Sequence, residues 1–598
     1  MERGPYDVLV ESNVMVAMRD GVNLACDIYF PAQDAKRLSG EFPAVLERTP
    51  YSKLREDLPP TARFLASHGY VCVIQDCRGR FCSEGVHVSY QNEAKDGYDS
   101  IEWIAMQPWC NGSVGTIGLS YGGAVQGATG ALNPPSLKSM VPAMAFTYMM
   151  SVRKRMGGAA RLSTLIREFR MVVDSKEALA DPKLREHFLD AQRNIGQWLN
   201  ALPLKKGHNP FAFSPSSEQD IFDLLQKSEW HPDYQNLNFD VTPHWDTYSD
   251  AAVFLIGGWY DSHSLATVES YRNLAARGKQ VRMLVGPYKH GSKNLQVSHA
   301  GDVDFGTDAP LDYDGVRLEW FDMTLRKNKR MDDAPTIKIF VMGGGSGRKT
   351  PEGRLDHGGK WRYEHEWPLS RANITPYYIH HDGALSPELP ADSDPTVYQF
   401  DPKNPVPTIG GPCSAAEDVI PGGGYDQRNR KDVFGARDEL PLAARHDVLV
   451  FETEPLEADI EVTGGLEMVL YASSDCVDTD FTVKLIDVYP PNEDYPVGYA
   501  LNIQDGILRA RYRNRREPAE FIEPGQVYEF RIVLFPTSNV FKKGHKIRLD
   551  ISSSNFPRFD VNPNTGEPLM ANRLWKVATN SIYHDPKRPS RILLPIVE

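Results

Sequence analysis

The first half of the chain alternates short apolar runs with segments of helical spacing. Each run is apolar on both faces, which is typical of strands in a parallel sheet that is covered on both sides. Between two of these runs, residues 61–69 have helical spacing and end in Gly69, a residue suited to a helix C-terminus. This regular alternation predicts an α/β fold. The apolar runs lie at residues 43–48, 70–76, 113–120, 139–146, 251–258 and 281–287.

The pattern changes between residues 147 and 243, where helical segments, among them residues 184–202, follow one another with no convincing strand. An all-helical insertion between two strands of a sheet is best explained as a cap over the ligand crevice, and a decoration remote from any site is the alternative. Beyond about residue 350, short alternating strands with Gly, Pro, Asn and Asp turns predict an antiparallel β-sandwich of jelly-roll type. The predicted divisions are residues 1–146 and 244–350 for the α/β core, 147–243 for the helical cap and 351–598 for the β domain.

Composition and charge exclude several classes of protein. The net charge of −13 disfavours a nucleic-acid partner, which needs a basic surface, and no apolar run reaches the roughly 18 residues of a membrane span. The first residues, MERGPYDVLVESNV, lack the basic and apolar regions of a secretory signal. Seven scattered cysteines predict reduced thiols in a cytoplasmic protein. Their spacing matches no zinc site and HExxH is absent, so we expect neither a metal nor another cofactor.

The segment Gly118-Leu119-Ser120-Tyr121-Gly122 matches the pattern GxSxG. A predicted strand precedes it and a predicted helix follows it. A nucleophile elbow occupies this position in α/β-hydrolases, because glycines allow the strained turn that exposes the serine oxygen. The sequence therefore predicts an α/β-hydrolase core with Ser120 as its nucleophile, and a simple Gly-rich turn is the alternative.

A serine hydroxyl needs a base within hydrogen-bond reach, and that base needs an acid to orient it. In α/β-hydrolases the chain order is serine, acid, histidine, with each group at the C-terminal end of a strand. Asp261 and His290 end the two predicted strands after the cap and fit this order. His263 begins a helix instead. The remaining candidates fit the order less well: His299, Asp302, Asp304, His380 and His381.

Acyl transfer also needs hydrogen-bond donors for the oxyanion. The backbone N–H of Tyr121, the residue after the nucleophile, is one candidate. The second would come from the loop after the first central strand, where Tyr51 could donate through its phenol hydroxyl. From chemistry alone, packing inside this loop explains Tyr51 equally well.

Eight motifs follow one another along nearly the whole chain. They are RTPYSK at 48–53, DCRGRFCSEG at 76–85, QPWCNGSVGTIGLSYGG at 107–123, GGWYD at 257–261, GPYKHG at 286–291, DGILRARYR at 505–513, PGQVYEF at 524–530 and TSNVFKKGHKIRLDISSSNFPRFDVNPNTG at 537–566. Together they resemble the cocaine esterase and X-Pro dipeptidyl-peptidase family of serine hydrolases, with the weakest likeness in the helical insertion. The resemblance implies an α/β-hydrolase core, a helical cap and a C-terminal jelly roll. It also implies a triad of Ser120, Asp261 and His290, with the Tyr51 hydroxyl and the Tyr121 amide as the oxyanion hole.

Members of this family cleave aryl esters, cephalosporin side-chain amides, amino-acid esters and X-Pro peptides. The resemblance implies an esterase or acylase that forms an acyl-enzyme on Ser120 from a small ester or amide, and relatives commonly form homo-oligomers. An X-Pro dipeptidyl peptidase is the alternative, and a non-catalytic binding protein is a third hypothesis. Amino-acid ester hydrolases carry acidic residues near the oxyanion tyrosine, whereas Ser52 and Lys53 follow Tyr51 in this chain, so an ammonium pocket is not expected.

Three residues beside the motifs are candidates for the substrate pocket: Trp109, Trp259 and His263. Packing between sheet and helix is the alternative for Trp259. The cap also holds a basic cluster that could bind an anionic acyl group, because guanidinium groups pair with carboxylates. A solvated helix face on an acidic protein is the alternative that we favour. The cluster consists of Arg153, Lys154, Arg155, Arg161, Arg167 and Arg170.

Overall fold

The computed structural model describes residues 4–145, 154–234, 236–326, 336–413 and 419–598. Helices and strands of at least four residues are numbered in chain order. The first part of the core contains β1 (Asp7–Ala17), β2 (Asn23–Gln33), β3 (Phe42–Thr49), α1 (Leu58–Ser67), β4 (Val71–Asp76), α2 (Glu93–Ala105), β5 (Cys110–Leu119), α3 (Tyr121–Ala131) and β6 (Leu137–Ala143). The second part contains β7 (Ala252–Tyr260), α9 (Ser264–Ala275), β8 (Val281–Lys289), α10 (Tyr313–Thr324), β9 (Ile337–Met342) and β10 (Gly359–Glu364).

These strands form one sheet in the order β1-β2-β4-β3-β5-β6-β7-β8-β9-β10. The strands from β4 to β9 run parallel, and antiparallel strands close the sheet at both ends. Strands β4 and β7 are buried along their whole length, as their apolar sequences predict. The carboxyl ends of the parallel strands therefore meet at one edge, where Ser120, Asp261 and His290 follow β5, β7 and β8.

Helix α3 is buried at every residue, and most of its side chains are small. It lies close to α2, where a Cβ on Gly97 would come within 2.0 Å of Oγ1 of Thr129. Only glycine allows this approach of the two helices. The tight packing holds the start of α3, and with it Ser120, against the sheet.

The cap lies between β6 and β7. Its helices are α4 (Leu162–Val173), α5 (Lys176–Ala180), α6 (Pro182–Arg193), α7 (Ile195–Asn200) and α8 (Pro215–Gln226). The helical pattern predicted at residues 184–202 is divided at Asn194 into α6 and α7. Two strands of two residues each, Arg155–Met156 and Ala159–Ala160, pair before α4 and were not predicted. Within the described ranges, no helix combines the length and apolar character needed to cross a membrane.

The C-terminal domain is antiparallel. Its strands are β11 (Ala372–Ile379), β12 (Thr396–Phe400), β13 (Leu449–Glu452), β14 (Ile460–Ser474), β15 (Asp480–Tyr489), β16 (Tyr499–Arg509), β17 (Tyr528–Phe541), β18 (Lys546–Ser552), β19 (Ala578–Asp585) and β20 (Arg591–Val597). One group pairs as β17-β14-β20-β11, with β12-β19 joined to the end of β14. The other pairs as β13-β18-β15-β16. The predicted α/β core with a C-terminal β domain is confirmed, and the jelly-roll connectivity stays a prediction.

The core sheet and the β domain share one hydrophobic cluster. Val285 of β8 and Phe340 of β9 belong to the same buried cluster as Met468 of β14 and Leu501 of β16. Burial of apolar surface is the main stabilising contribution to a fold. The two parts therefore stabilise each other through a shared apolar cluster.

Candidate active site

Ser120 lies in a sharp turn between β5 and α3. Its φ of 61° and ψ of −116° place a non-glycine residue in a sparsely populated backbone region, as a nucleophile elbow requires. Gly118 makes the turn possible, because a Cβ there would lie 2.6 Å from the backbone of Gly122. The N–H of Ser120 donates to the carbonyl of Ala143 at 3.0 Å, which ties the turn to the end of β6.

His290 and Asp261 are hydrogen-bonded at the same edge of the sheet. Nδ1 of His290 lies 2.9 Å from Oδ1 of Asp261. Burial raises the pKa of Asp261, but its electrostatic and hydrogen-bond interactions with His290 and His263 outweigh this effect and hold the pKa below its usual range. An Nδ1–H that donates to a carboxylate leaves Nε2 unprotonated, and in this form imidazole can act as a base.

His263 contacts the same carboxylate. Its Nδ1 lies 3.2 Å from Oδ1 of Asp261, and its ring centroid is 5.2 Å from that of His290. Burial lowers the pKa of His263 to about 4 despite the neighbouring carboxylate, so this ring is neutral at pH 7. The three residues offer metal-ligand atoms within 4.8 Å of one another. Hydrogen bonds from both histidines to one carboxylate account for this grouping.

Ser120, His290, His263 and Tyr51 line one cavity of about 550 Å³. Helix α4 supplies much of the wall on the cap side. A ligand in this cavity would therefore contact both the cap and the edge of the sheet that carries Ser120 and His290. The α4 residues that line the cavity are Ser163, Thr164, Arg167, Arg170 and Met171.

The two predicted oxyanion tyrosines have different surroundings. The ring of Tyr51 packs edge-on against Tyr121 at 6.2 Å and lines the cavity. Among the described residues, no group forms a hydrogen bond with the Tyr51 hydroxyl. The phenol of Tyr121 is fully buried and donates to Oε1 of Glu93 at 2.7 Å. The Tyr121 phenol is thus not available to an oxyanion, and the candidate donor from this residue is its backbone N–H, at the start of α3.

A buried ion pair lies behind both tyrosines and was not predicted from the sequence. Nη2 of Arg48 lies 3.1 Å from Oε2 of Glu93, and Nη1 donates to the Glu93 carbonyl at 2.7 Å. Arg48 is three residues before Tyr51, while Glu93 accepts the hydrogen bond of Tyr121. The pair thus holds the elbow and the loop of Tyr51 in one arrangement.

Arg80 joins the Tyr51 loop to the cap and was also missed. Its Nε donates to the carbonyl of Pro50 at 2.9 Å, and its Nη1 donates to that of Met171 in α4 at 3.2 Å. The side chain is buried yet lines the cavity with Ser120. The sequence showed Arg80 only as part of the motif DCRGRFCSEG, which gives no indication of these long-range contacts.

Two predicted pocket residues lie elsewhere. Trp109 precedes β5, at the opposite end of the strand from Ser120, and packs edge-on against Phe30 at 5.5 Å. Trp259 is fully buried, and its indole N–H donates to the carbonyl of Phe340 at 2.7 Å. Neither tryptophan is among the residues that line the cavity, whereas His263 is. The expectation that Trp109 and Trp259 line the substrate pocket must therefore be corrected, because both belong to the hydrophobic core.

Strand β16 of the C-terminal domain holds the residues before Asp261. Nε2 of Gln504 donates to the carbonyl of Trp259 at 2.8 Å. The hydroxyl of Tyr260 donates to the carbonyl of Asn502 at 3.1 Å. The end of β7, from which Asp261 follows, is therefore positioned in part by the β domain.

The predicted basic cluster of the cap is divided by the fold. Arg155 and Arg161 are buried, so a solvated face is the wrong description for them. Lys154 lies over the ring of Tyr234, with its ammonium 4.8 Å from the centroid. Arg167 and Arg170 line the cavity, and Arg153 lies outside the described residues.

Two family models match the chain. Residues 20–292 match the X-Pro dipeptidyl-peptidase (S15 family) model. Residues 328–593 match the model of the X-Pro dipeptidyl-peptidase C-terminal non-catalytic domain. The first range contains Ser120, Asp261 and His290, and the second contains the β domain.

Individual proteins match over the full length. Cocaine esterase of Rhodococcus sp. (strain MB1 Bresler) is 32% identical over 641 aligned residues, which cover 100% of both chains. A solved alpha-amino acid ester hydrolase is 25% identical with a TM-score of 0.78 and covers 100% of this chain and 98% of its own. An aminopeptidase from a marine sediment archaeon, Thaumarchaeota archaeon, has the same identity and coverage with a TM-score of 0.73.

Proposed function

Because the chain belongs to the cocaine esterase and X-Pro dipeptidyl-peptidase family of serine hydrolases, we propose that it cleaves a carboxylic ester or amide through an acyl-enzyme on Ser120. One observation carries this proposal. His290, which is hydrogen-bonded to the buried Asp261, lines the same cavity as Ser120, and Ser120 occupies a strained elbow. These are the three groups that nucleophilic acyl transfer requires.

The proposed reaction proceeds in two halves. Nε2 of His290 takes the proton of the Ser120 hydroxyl while the Ser120 oxygen attacks the carbonyl carbon of the substrate. The negative oxygen then accepts hydrogen bonds from the Tyr51 hydroxyl and the Tyr121 amide. Collapse expels the alcohol or amine with the proton held by His290. Water, deprotonated by the same imidazole, then attacks the acyl-enzyme. The bond to the Ser120 oxygen breaks, His290 returns the proton to that oxygen, and the acid leaves.

Asp261 orients the imidazole and stabilises its positive form. The carboxylate stays ionised, because its pKa is held below the usual range. His263 adds a second hydrogen bond but no charge at pH 7, because its pKa is lowered to about 4. The negative charge of Asp261 therefore remains available to the imidazolium that forms during each half-reaction.

Release of X-Pro dipeptides is the second candidate, supported by the S15 family match. This reaction needs a carboxylate that holds a free amino terminus. Among the described residues, each acid that lines the cavity already pairs with a cation. The pairs are Asp57 with Arg55, Glu56 with Lys293 and Asp174 with Arg185. These pairings favour the esterase or acylase over the peptidase. The hydrogen bond between Asp261 and His290 and the elbow at Ser120 favour an enzyme over a binding protein.

A fluorophosphonate probe tests the proposal directly. We expect one covalent adduct, located on Ser120 by peptide mass spectrometry, together with loss of 4-nitrophenyl acetate hydrolysis. Native protein that remains unlabelled and inactive would contradict it. Glycyl-proline and acetyl-glycyl-proline 4-nitroanilides separate the two candidates, because only a dipeptidyl peptidase requires the free amine.

Two further properties belong to this proposal. The seven cysteines are all free thiols, which supports a reducing, cytoplasmic location. Self-association into a homo-oligomer stays a prediction, and sedimentation velocity measures it.

A further inference from the structure

The wall of the Ser120 cavity carries more cationic than acidic side chains, although the protein as a whole has a net charge of −13. The acids are Glu56, Asp57 and Asp174. The cations are Arg55, Arg80, Arg167, Arg170 and Lys293. A local positive field inside an acidic protein attracts an anionic ligand to this cavity.

Most of these charges have partners. Arg55 lies 2.5 Å from Asp57, and Lys293 lies 2.5 Å from Glu56. Arg167 pairs with Glu168, the next residue in α4. These pairs are neutral overall, so they do not produce the excess of positive charge.

Arg80 differs from the other cations of the wall. Its side chain is only 4% exposed, and it forms no ion pair with any carboxylate in the described part of the chain. Two carbonyls accept from its Nε and Nη1, while a guanidinium has five N–H groups in a planar fork. Burial lowers the pKa of Arg80, which reflects the cost of holding this charge away from water.

The position of Arg80 is also informative. It contacts Pro50, the residue before Tyr51, and Met171 of α4. An anion bound by its fork would therefore lie on the cap side of the cavity, next to the loop of the proposed oxyanion donor. Arg170 is exposed on the same helix and lines the same cavity.

We infer that the substrate of this site carries a carboxylate in addition to the bond that is cleaved, and that Arg80 binds it, with Arg170 assisting at the mouth. The substrate class is then the monoesters and monoamides of dicarboxylic acids. A guanidinium binds a carboxylate through two parallel hydrogen bonds, which gives both affinity and orientation. This inference rests on the proposed function, because it names the substrate class of the same site.

The test compares two esters that differ in one charge. The anionic ester is mono-4-nitrophenyl adipate, which carries a free carboxylate. The neutral ester is the 4-nitrophenyl ester of adipic acid monoamide, in which an amide of similar size replaces that carboxylate. After subtraction of the hydrolysis without enzyme, we expect kcat/KM for the anionic ester to be at least about tenfold higher. We also expect this preference to shrink at 1 M salt, because salt screens the attraction.

Substitutions test whether Arg80 causes the preference for the anionic ester. Arg80→Gln should remove most of the preference for the anionic ester. Arg80→Lys should keep part of this preference, since a lysine retains the charge but not the planar guanidinium. Arg170→Gln should reduce the preference for the anionic ester two- to fivefold. Residue 170 is exposed, so we expect this substitution to leave the fold intact. Arg193→Gln, in an exposed ion pair of α6 outside the cavity, is the matched control and should leave the preference unchanged.

Equal loss of both activities in Arg80→Gln would overturn the inference, because it would show that Arg80 only holds the Pro50 loop. Equal hydrolysis of both esters by the native protein would also overturn it. If Ser120 reacts with the fluorophosphonate probe and the neutral ester is cleaved, the proposed function stands whatever the preference. Absence of labelling and of both hydrolyses would instead contradict the proposed function itself.

Discussion

His263 and His290 donate to a single atom, Oδ1 of Asp261, at 3.2 and 2.9 Å. Oδ2 of this buried carboxylate accepts no hydrogen bond from the described residues. The two imidazoles differ in their place in the fold. His290 follows a strand of the sheet, whereas His263 precedes α9. One carboxylate therefore connects the predicted base to a second, neutral histidine.

The neutral state of His263 makes the fold sensitive to acid. The pKa of this residue is about 4 in the folded protein, against 6.5 for an ordinary histidine. Between these values the unfolded chain binds a proton that the folded chain does not, so stability falls as the pH falls. His263→Gln, which cannot titrate, should therefore recover up to about 2 kcal/mol of the stability lost between pH 7.5 and pH 5.

Urea unfolding at these two pH values measures this effect. His208→Gln, at an exposed position of the cap, is the control and should behave as the native protein does. Part of the acid sensitivity should remain in His263→Gln, because burial also lowers the pKa of His87 to about 4. If His263→Gln loses as much stability between pH 7.5 and pH 5 as the native protein does, His263 is protonated in the folded native protein.

Ser120→Ala should lower kcat by about 10⁴- to 10⁶-fold on a 4-nitrophenyl ester, because the attacking oxygen is lost. The fold should be unaffected, since alanine is smaller and the glycines of the turn remain. Ser113→Ala, near the start of the same strand, is the control. Near-normal activity of Ser120→Ala would assign the nucleophile to another residue.

Tyr51→Phe tests the oxyanion donor. The ring can still pack against Tyr121, but the hydroxyl is gone. We expect kcat to fall by about 10²-fold with little change in KM, because the lost hydrogen bond forms only as charge develops on the oxygen. Tyr363→Phe, on the exposed strand β10, is the control. If Tyr51→Phe behaves as this control does, Tyr51 serves packing alone.

Glu93→Gln should destabilise the protein by about 3 kcal/mol, because Arg48 would keep its buried charge without its nearest carboxylate. Activity should also fall, since Glu93 accepts the hydrogen bond of Tyr121 beside the nucleophile. Denaturant titration and ester hydrolysis measure the two effects separately. Lys95→Gln, exposed on the same helix, is the control. A loss of stability with full activity would limit Glu93 to a structural role.

The sequence predicted the features that depend on local pattern. Strand β4 is apolar on both faces because it is buried in the sheet, and this alternation with helices is visible without coordinates. The elbow at Ser120 requires glycine at fixed offsets, so its motif is equally visible. Asp261 and His290 were predicted because each follows a strand in the order that the fold imposes, and the structure places the two side chains within hydrogen-bond distance.

Features that depend on side-chain direction or on distant contacts were missed. Trp109 and Trp259 flank the motifs, but an aromatic residue packs equally well in a core or in a pocket, and both lie in the core. Arg80 contacts residues 30 and 91 positions away, which no local pattern reveals. The helical pattern at residues 184–202 gave no indication of the break at Asn194.

Two hydrogen bonds connect the C-terminal half to the residues before Asp261. Gln504 donates to the carbonyl of Trp259, and the carbonyl of Asn502 accepts from the hydroxyl of Tyr260. This half therefore supports the proposed site, although it contributes none of the proposed reacting groups. A shortened chain that ended after the core sheet would keep Ser120, Asp261 and His290 but would lose both of these hydrogen bonds. We therefore expect such a chain to need other contacts at Trp259 and Tyr260 to keep the Asp261 carboxylate in place.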